Sequence, residues 1–175
     1  MVTDSIAELL ITHKAIEFGD FTLASGIKSR YYIDVKSAIT NPELLQAIAT
    51  TIAQTYEFDM VAGVAVGGVP LATAVALVAK KPYAIIRLTE KSHGKKDVII
   101  GSVNGKRVLL VEDVTTSGGS ALYGILALQN AGATADRVVT VVDREEGAGE
   151  MLKSHRVELL PLVKVSEILK RANHF

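Results

Sequence analysis

The sequence predicts a doubly wound α/β domain on a mainly parallel sheet, and three observations carry that prediction. Four short apolar runs, Val61 to Val66, Tyr83 to Ile86, Val108 to Val111 and Val138 to Val142, lack polar alternation, as strands buried on both faces do. Segments of helical length and composition, Val69 to Ala79 and Gly119 to Ala131, are interleaved with them. At 175 residues the chain can bury a real core, and no repeat, linker or low-complexity stretch divides it.

From the N-terminus, Ser5-Ile6-Ala7-Glu8 reads as a capping box, with Ser5 and Glu8 each bonding the other's backbone NH. It opens a helix with Ile6, Leu9 and Leu10 on one face, expected to end near Gly19. Phe21-Thr22-Leu23 and Tyr31-Tyr32-Ile33 are strand-like runs around a turn at Ser25-Gly26-Ile27-Lys28. Asn41-Pro42 supplies an N-cap and a first-turn proline to a helix carrying Leu44, Leu45, Ile48 and Ile52. The alternating strands and helices follow, with Gly132 placed to stop the helix before it. A last strand around Val157 to Leu160 and a helix from Ser166 close the chain. The most polar loop is Leu88 to Asp97, with Lys91, His93, Lys95 and Lys96; such a loop reads as mobile.

Composition excludes several classes of function. Lys plus Arg and Asp plus Glu stand at 19 each, so no global field draws the protein to nucleic acid or an acidic membrane. An anion must therefore be held locally. The absence of cysteine removes disulfides, thiolate catalysis and Cys-ligated zinc, and four dispersed histidines make a transition-metal site unexpected. No basic region precedes the first apolar residues, so no signal peptide is expected and the cytoplasm is the expected location. The uncharged run Met60 to Ala79 is long enough to span a bilayer, but it is mostly Ala, Val and Gly, with Gly67-Gly68 and Pro70 in its middle. It reads instead as strand, glycine turn and helix.

The stretch Val108 to Ser120, VLLVEDVTTSGGS, carries the chemistry. Glu112 and Asp113 are placed at a strand's C-terminal end, and Thr115 to Gly119 form the turn into a helix. Unsatisfied NH groups and the macrodipole favour an anion there, glycines allow close approach, and hydroxyls add donors. Two carboxylates beside a phosphate repel it unless something intervenes. A ribose whose hydroxyls donate to Glu112 and Asp113 resolves the conflict, so the ligand should be a sugar phosphate. The bland alternative, that both acids cap the next helix, leaves the pairing and the five small residues unexplained. No Walker sequence is present, since Gly94-Lys95 is followed by Lys96 and Gly105-Lys106 by Arg107, and no G-x-G-x-x-G follows a strand. Gly67-Gly68 after another strand can expose NH groups to a pyrophosphate or simply make a tight buried turn. Arg87 can fork onto phosphate oxygens, or form a surface ion pair.

The apolar run, acidic pair and Thr-Thr-Ser-Gly-Gly resemble the phosphoribosyl pyrophosphate signature of the phosphoribosyltransferases. Within that family the chain resembles the enzymes that act on orotate. Phe21 to Gly26 with Lys28-Ser29 and Tyr31-Tyr32 is similar to their hood over the base, and Gly63 to Pro70 to their pyrophosphate loop. Arg87 with Lys91-Ser92-His93-Gly94 is similar to their mobile catalytic loop, and Asp143-Arg144 to their base-side arginine. The resemblance implies a phosphoribosyltransferase fold over residues 1–175, with hood elements in about 1–40 and the core in about 41–175. It implies a phosphoribosyl pyrophosphate site of Gly67, Arg87, Lys91, His93, Glu112, Asp113, Val114, Thr115, Thr116, Ser117, Gly118, Gly119 and Ser120. Lys91, His93 and Asp113 would be catalytic, and Thr116 and Arg144 would bind orotate. A guanidinium suits the planar carboxylate that orotate has and purine bases lack.

The implied reaction displaces pyrophosphate from the ribose anomeric carbon by a ring nitrogen of orotate. It gives orotidine 5'-monophosphate for de novo pyrimidine synthesis, with Mg2+ held mainly by substrate oxygens and water rather than by a protein cage. A homodimer with shared sites is implied, with no nucleic-acid or membrane partner. The chain departs from the pattern at Ala24, Gly67 and Leu88, where many relatives carry lysine, and the acidic pair is Glu-Asp rather than Asp-Asp. Backbone NH groups and Lys91, Lys95 or Lys96 would then carry more of the pyrophosphate's charge, or affinity would be lower. Two alternatives stand beside this reading. One is a phosphoribosyltransferase for another base, in which Arg144 would be dispensable; the other is a phosphoribosyl pyrophosphate-sensing regulator, which would need the basic face this chain lacks.

Overall fold

The computed structural model describes residues 5–22, 28–88 and 98–172. Ser5 caps α1 (Ile6–Thr12) through the reciprocal box with Glu8, an arrangement that stabilises a helix end by about 1 kcal/mol. The helix stops well before Gly19. His13 ends it, Lys14 takes a left-handed φ of 55°, and the chain enters β1 (Ile16–Thr22). Ile16, Glu17 and Phe18 of β1 pair antiparallel with Ile33, Tyr32 and Tyr31 of β2 (Lys28–Ile33). Cross-strand pairing therefore claims residues that helical spacing had assigned to the first helix. The two-stranded ribbon spans the segment expected to form the hood; Ala24 and Ser25 to Ile27 of the expected turn lie outside the described residues, and Lys28 begins β2.

A short helix not foreseen from sequence, α2 (Val35–Ala38), follows, capped by Asp34, whose carboxylate accepts from Ser37 N at 3.0 Å. Then α3 (Pro42–Thr55) begins at the Asn41 cap, with Leu44, Ile48, Ala49 and Ile52 buried. The core alternates β3 (Met60–Val64), α4 (Gly68–Ala79), β4 (Tyr83–Ile86), β5 (Ile99–Ile100), β6 (Val108–Thr115), α5 (Gly119–Asn130), β7 (Arg137–Asp143), α6 (Ala148–Ser154), β8 (Glu158–Lys164) and α7 (Val165–Ala172). The fold is thus α/β with a mainly parallel sheet ordered β5-β4-β3-β6-β7-β8, in which only the edge pair β4–β5 is antiparallel. Short β5 and α6 gave no sequence signal. Among the described residues no helix is long and apolar enough to cross a membrane, and the Met60 to Ala79 run is β3, a turn and α4.

Two features of this sheet place the site. First, the chain leaves β3 toward β4 on one side and β6 toward β7 on the other, so the strand order reverses between β3 and β6. Ligands of open α/β sheets bind at such a switch point, beyond the C-terminal strand ends. Second, β6 alternates between two apolar layers. Leu109 and Val111 pack with α1, α3 and α4, whereas Val108 and Leu110 pack with α5. With a side-chain period of two, Asp113 continues the first face and Glu112 the second.

Candidate active site

β6 runs through Thr115, so Glu112 and Asp113 are strand residues rather than the strand's end. The acids are poor strand formers by themselves. They are held extended by β7, where Glu112 pairs with Thr140, Val114 with Val142 and Thr115 with Asp143. Both are buried, at 5% and 6% exposure, which separates them from ordinary helix-capping acids. Burial, then the neighbouring charge of Asp113, pushes the Glu112 carboxyl up to about 8, partly offset by the Ser120 side chain and Lys36. Among the described residues Glu112 Oε1 has no hydrogen-bond partner. A buried acceptor of that kind suits an incoming hydroxyl donor.

Asp113 meets two groups on its own face. Its Oδ2 lies 3.1 Å from the Lys36 ammonium, delivered by α2. Its carboxylate also fills the space beside Gly67, where an added Cβ would lie 2.6 Å from Oδ2. Gly67 has φ −64° and ψ −36°, so glycine is needed here for room and not for backbone freedom. The loop leading to it carries a cis peptide between Ala65 and Val66, and Val66 is 76% exposed. The departure from lysine at Gly67 thus coincides with an acid packed against its Cα and a lysine arriving from elsewhere in the chain.

The turn after β6 is pinned through its carbonyls: Thr115 O accepts from Arg144 N at 3.0 Å, Thr116 O from Ala148 N at 3.1 Å and Gly118 O from Leu122 N at 2.9 Å. Among the described residues no hydrogen bond uses the NH of Ser117 or Gly118. Gly118 takes φ 82° against Ala148, a conformation that costs other residues about 1–2 kcal/mol. Thr116, Ser117, Gly119 and Ser120 are exposed, with Val114 half-buried behind them. Turn and helix start together present free donors to an anion.

Arg144 sits on the adjoining β7 end. Its Nε is 2.8 Å from Glu146 Oε1, and its guanidinium carbon lies 5.8 Å from the Tyr31 ring centroid. Buried Asp143 shapes this loop, accepting from Glu145 N at 2.9 Å and Thr115 Oγ1 at 3.3 Å. Arg87 follows β4, with its N donating to Val98 O at 2.9 Å and its O accepting from the Tyr123 hydroxyl at 3.1 Å. The described residues on either side of 89–97 are thereby held together. Lys91 and His93, with Lys95 and Lys96, lie outside the described residues. Lys36 and Glu146 were missed from sequence. Asp34-Val35-Lys36 directly after a hood strand was the only hint, and nothing local pairs Lys36 with Asp113.

No group of three or more His, Asp or Glu among the described residues could hold a metal. The buried pair of hard carboxylate oxygens nevertheless fits a magnesium ion carried on substrate oxygens, since that ion needs few protein ligands.

Residues 35–161 match the family described as phosphoribosyl transferase domain. The orotate phosphoribosyltransferase of Methanocorpusculum labreanum is 61% identical over 96% of this chain and 99% of its own length. That of Methanoculleus marisnigri is likewise 61% identical, with the same coverage. The crystal structure of orotate phosphoribosyltransferase from Aeropyrum pernix superposes with a TM-score of 0.84 at 31% identity, covering 97% of this chain and 99% of that one. The buried acidic pair lies at the sheet's switch point beside a turn with free backbone NH groups, and the chain belongs to the phosphoribosyltransferase family. Within it, the chain groups with the orotate phosphoribosyltransferases.

Proposed function

We infer that the protein transfers the 5-phosphoribosyl group from phosphoribosyl pyrophosphate to orotate, giving orotidine 5'-monophosphate and pyrophosphate in de novo pyrimidine synthesis. The observation that supports it most is the continuity of β6, Thr115–Gly119 and α5, which sets two buried carboxylates one turn away from free backbone donors. In this reading Thr115, Thr116, Ser117, Gly118, Gly119 and Ser120 hold the 5'-phosphate, and Glu112 and Asp113 accept from the ribose hydroxyls. Arg144 and Thr116 take the base, with the guanidinium's remaining nitrogens directed to the orotate carboxylate.

No nucleophilic side chain is called for. The Asp113 carboxylate, joined by Glu112 where it is ionised, stabilises positive charge developing at the sugar, while Gly67, Arg87, Lys91 and His93 hold and screen the departing pyrophosphate. Lys91 and His93 would close over the leaving group and protonate or screen it. Glu112 and Asp113 would face a magnesium ion carried in with the substrate, and that ion would offset part of the substrate's charge. The active form in this reading is a cytoplasmic homodimer with shared sites.

The direct test is loss of orotate's ultraviolet absorbance in the presence of phosphoribosyl pyrophosphate and magnesium, beside uracil, adenine and hypoxanthine. Turnover of orotate alone supports the assignment. Preferential turnover of another base would replace it with a different phosphoribosyltransferase.

A further inference from the structure

The sequence leaves the pyrophosphate side short of cations, with Gly67 and Leu88 standing where a positive side chain would be useful to a tetra-anionic substrate. The structure puts a cation there by another route. α2 is held by the Asp34 cap, which bonds Ser37 N at 3.0 Å and Ser37 Oγ at 2.7 Å, and this short helix projects Lys36 across to β6. Its ammonium stands 3.1 Å from Asp113 Oδ2, one oxygen of the carboxylate that packs against Gly67. The Lys36 side chain is 62% exposed, whereas that of Asp113 is 8% exposed. A long solvated side chain is thus tethered at its tip to a buried acid that also packs against Gly67.

We propose that Lys36 is a pyrophosphate-binding residue supplied by the segment after the hood, parked on Asp113 until substrate arrives and then shared with the pyrophosphate at the Gly67 loop. The proposal rests on the phosphoribosyl pyrophosphate reading of the site. The chemistry favours the exchange. The solvated lysine is free to swing from one anion to another, a pyrophosphate offers it several oxygens, and the buried acid it leaves is compensated by a ribose hydroxyl donor. Asp113, once released, is free to accept from a ribose hydroxyl. One cation would thereby link occupation of the two halves of the substrate site.

The two ligands of the reaction separate this role from a structural one, since pyrophosphate is present in phosphoribosyl pyrophosphate and absent from orotidine 5'-monophosphate. Calorimetric titration of Lys36→Met with phosphoribosyl pyrophosphate and magnesium should show about a tenfold or greater loss of affinity, the size expected for a lost charge-assisted contact. Binding of orotidine 5'-monophosphate should stay within about twofold of wild type, and Lys36→Arg should recover most of the affinity for phosphoribosyl pyrophosphate. Equal weakening of both ligands would overturn the proposal in favour of a residue that merely shapes Asp113. Unchanged phosphoribosyl pyrophosphate affinity in Lys36→Met would overturn it outright. Failure of the underlying reading is seen separately, as wild-type protein that binds neither ligand.

Discussion

Arg144 stands with its guanidinium carbon 5.8 Å from the Tyr31 ring centroid, while its Nε is engaged 2.8 Å from Glu146 Oε1. β2 and the loop after β7 are therefore joined through a side chain suited to a planar carboxylate. Replacing Arg144 with Lys keeps the charge and removes the fork, a loss of about 1.5–3 kcal/mol or about 10- to 150-fold. The expected result is a rise of that order in KM for orotate with KM for phosphoribosyl pyrophosphate unchanged. Glu146→Ala should raise the orotate KM more mildly, because the guanidinium loses its orientation and not its donors.

Glu112 gives the site a pH signature. Its carboxyl is raised from the ordinary 4.5 to about 8, chiefly by burial, so the folded protein holds this proton more tightly than the unfolded chain. Stability from this group is full below the unfolded value and falls as pH rises from about 4.5 to about 8. Glu112→Gln should remove that slope. Thermal unfolding is expected to show the variant melting above wild type at pH 8.5 and converging with it at pH 4.5, while phosphoribosyl pyrophosphate binding is lost. A wild-type melting temperature that rises between pH 5 and 8 relative to the variant would contradict the assignment.

Gly67→Ala separates space from backbone conformation. The helical φ and ψ at Gly67 accept alanine, but the new Cβ would meet the Asp113 carboxylate. Displacing that carboxylate should reduce kcat/KM for phosphoribosyl pyrophosphate by about tenfold or more, since misplacement of about 1 Å at a site can cost about a hundredfold. Thermal stability should change far less than activity.

Shared sites predict complementation. Mixing inactive Asp113→Asn protein with inactive Lys91→Ala protein should restore part of the wild-type activity, measured by orotate absorbance, because mixed dimers would contain one intact site. No recovery across a range of mixing ratios would count against a loop that crosses subunits.

The sequence carried the parallel core well, and the reason is physical. Strands such as Val108 to Val111 and Val138 to Val142 are buried on both faces, so burial writes itself into composition. Capping at Ser5 and Asn41 was legible because each cap is local. The early end of α1 was not, since Lys14 takes its left-handed φ without a glycine and β1 is fixed by pairing with β2. Glu112 and Asp113 looked like a strand's end because acids seldom sit mid-strand, and only the register with β7 carries the strand past them. The signature turn and Arg144 were visible as motifs, whereas Lys36 reaches Asp113 from a distant segment through a four-residue helix that no periodicity announces.

What the β6 acids and the turn after them hold is tested most directly by a crystal structure with orotidine 5'-monophosphate. The predicted result is a 5'-phosphate within hydrogen-bond distance of backbone NH groups between Thr115 and Gly119, with the ribose diol on the Glu112 and Asp113 carboxylates. A nucleotide bound with that turn empty and both carboxylates still packed away from the sugar would contradict it.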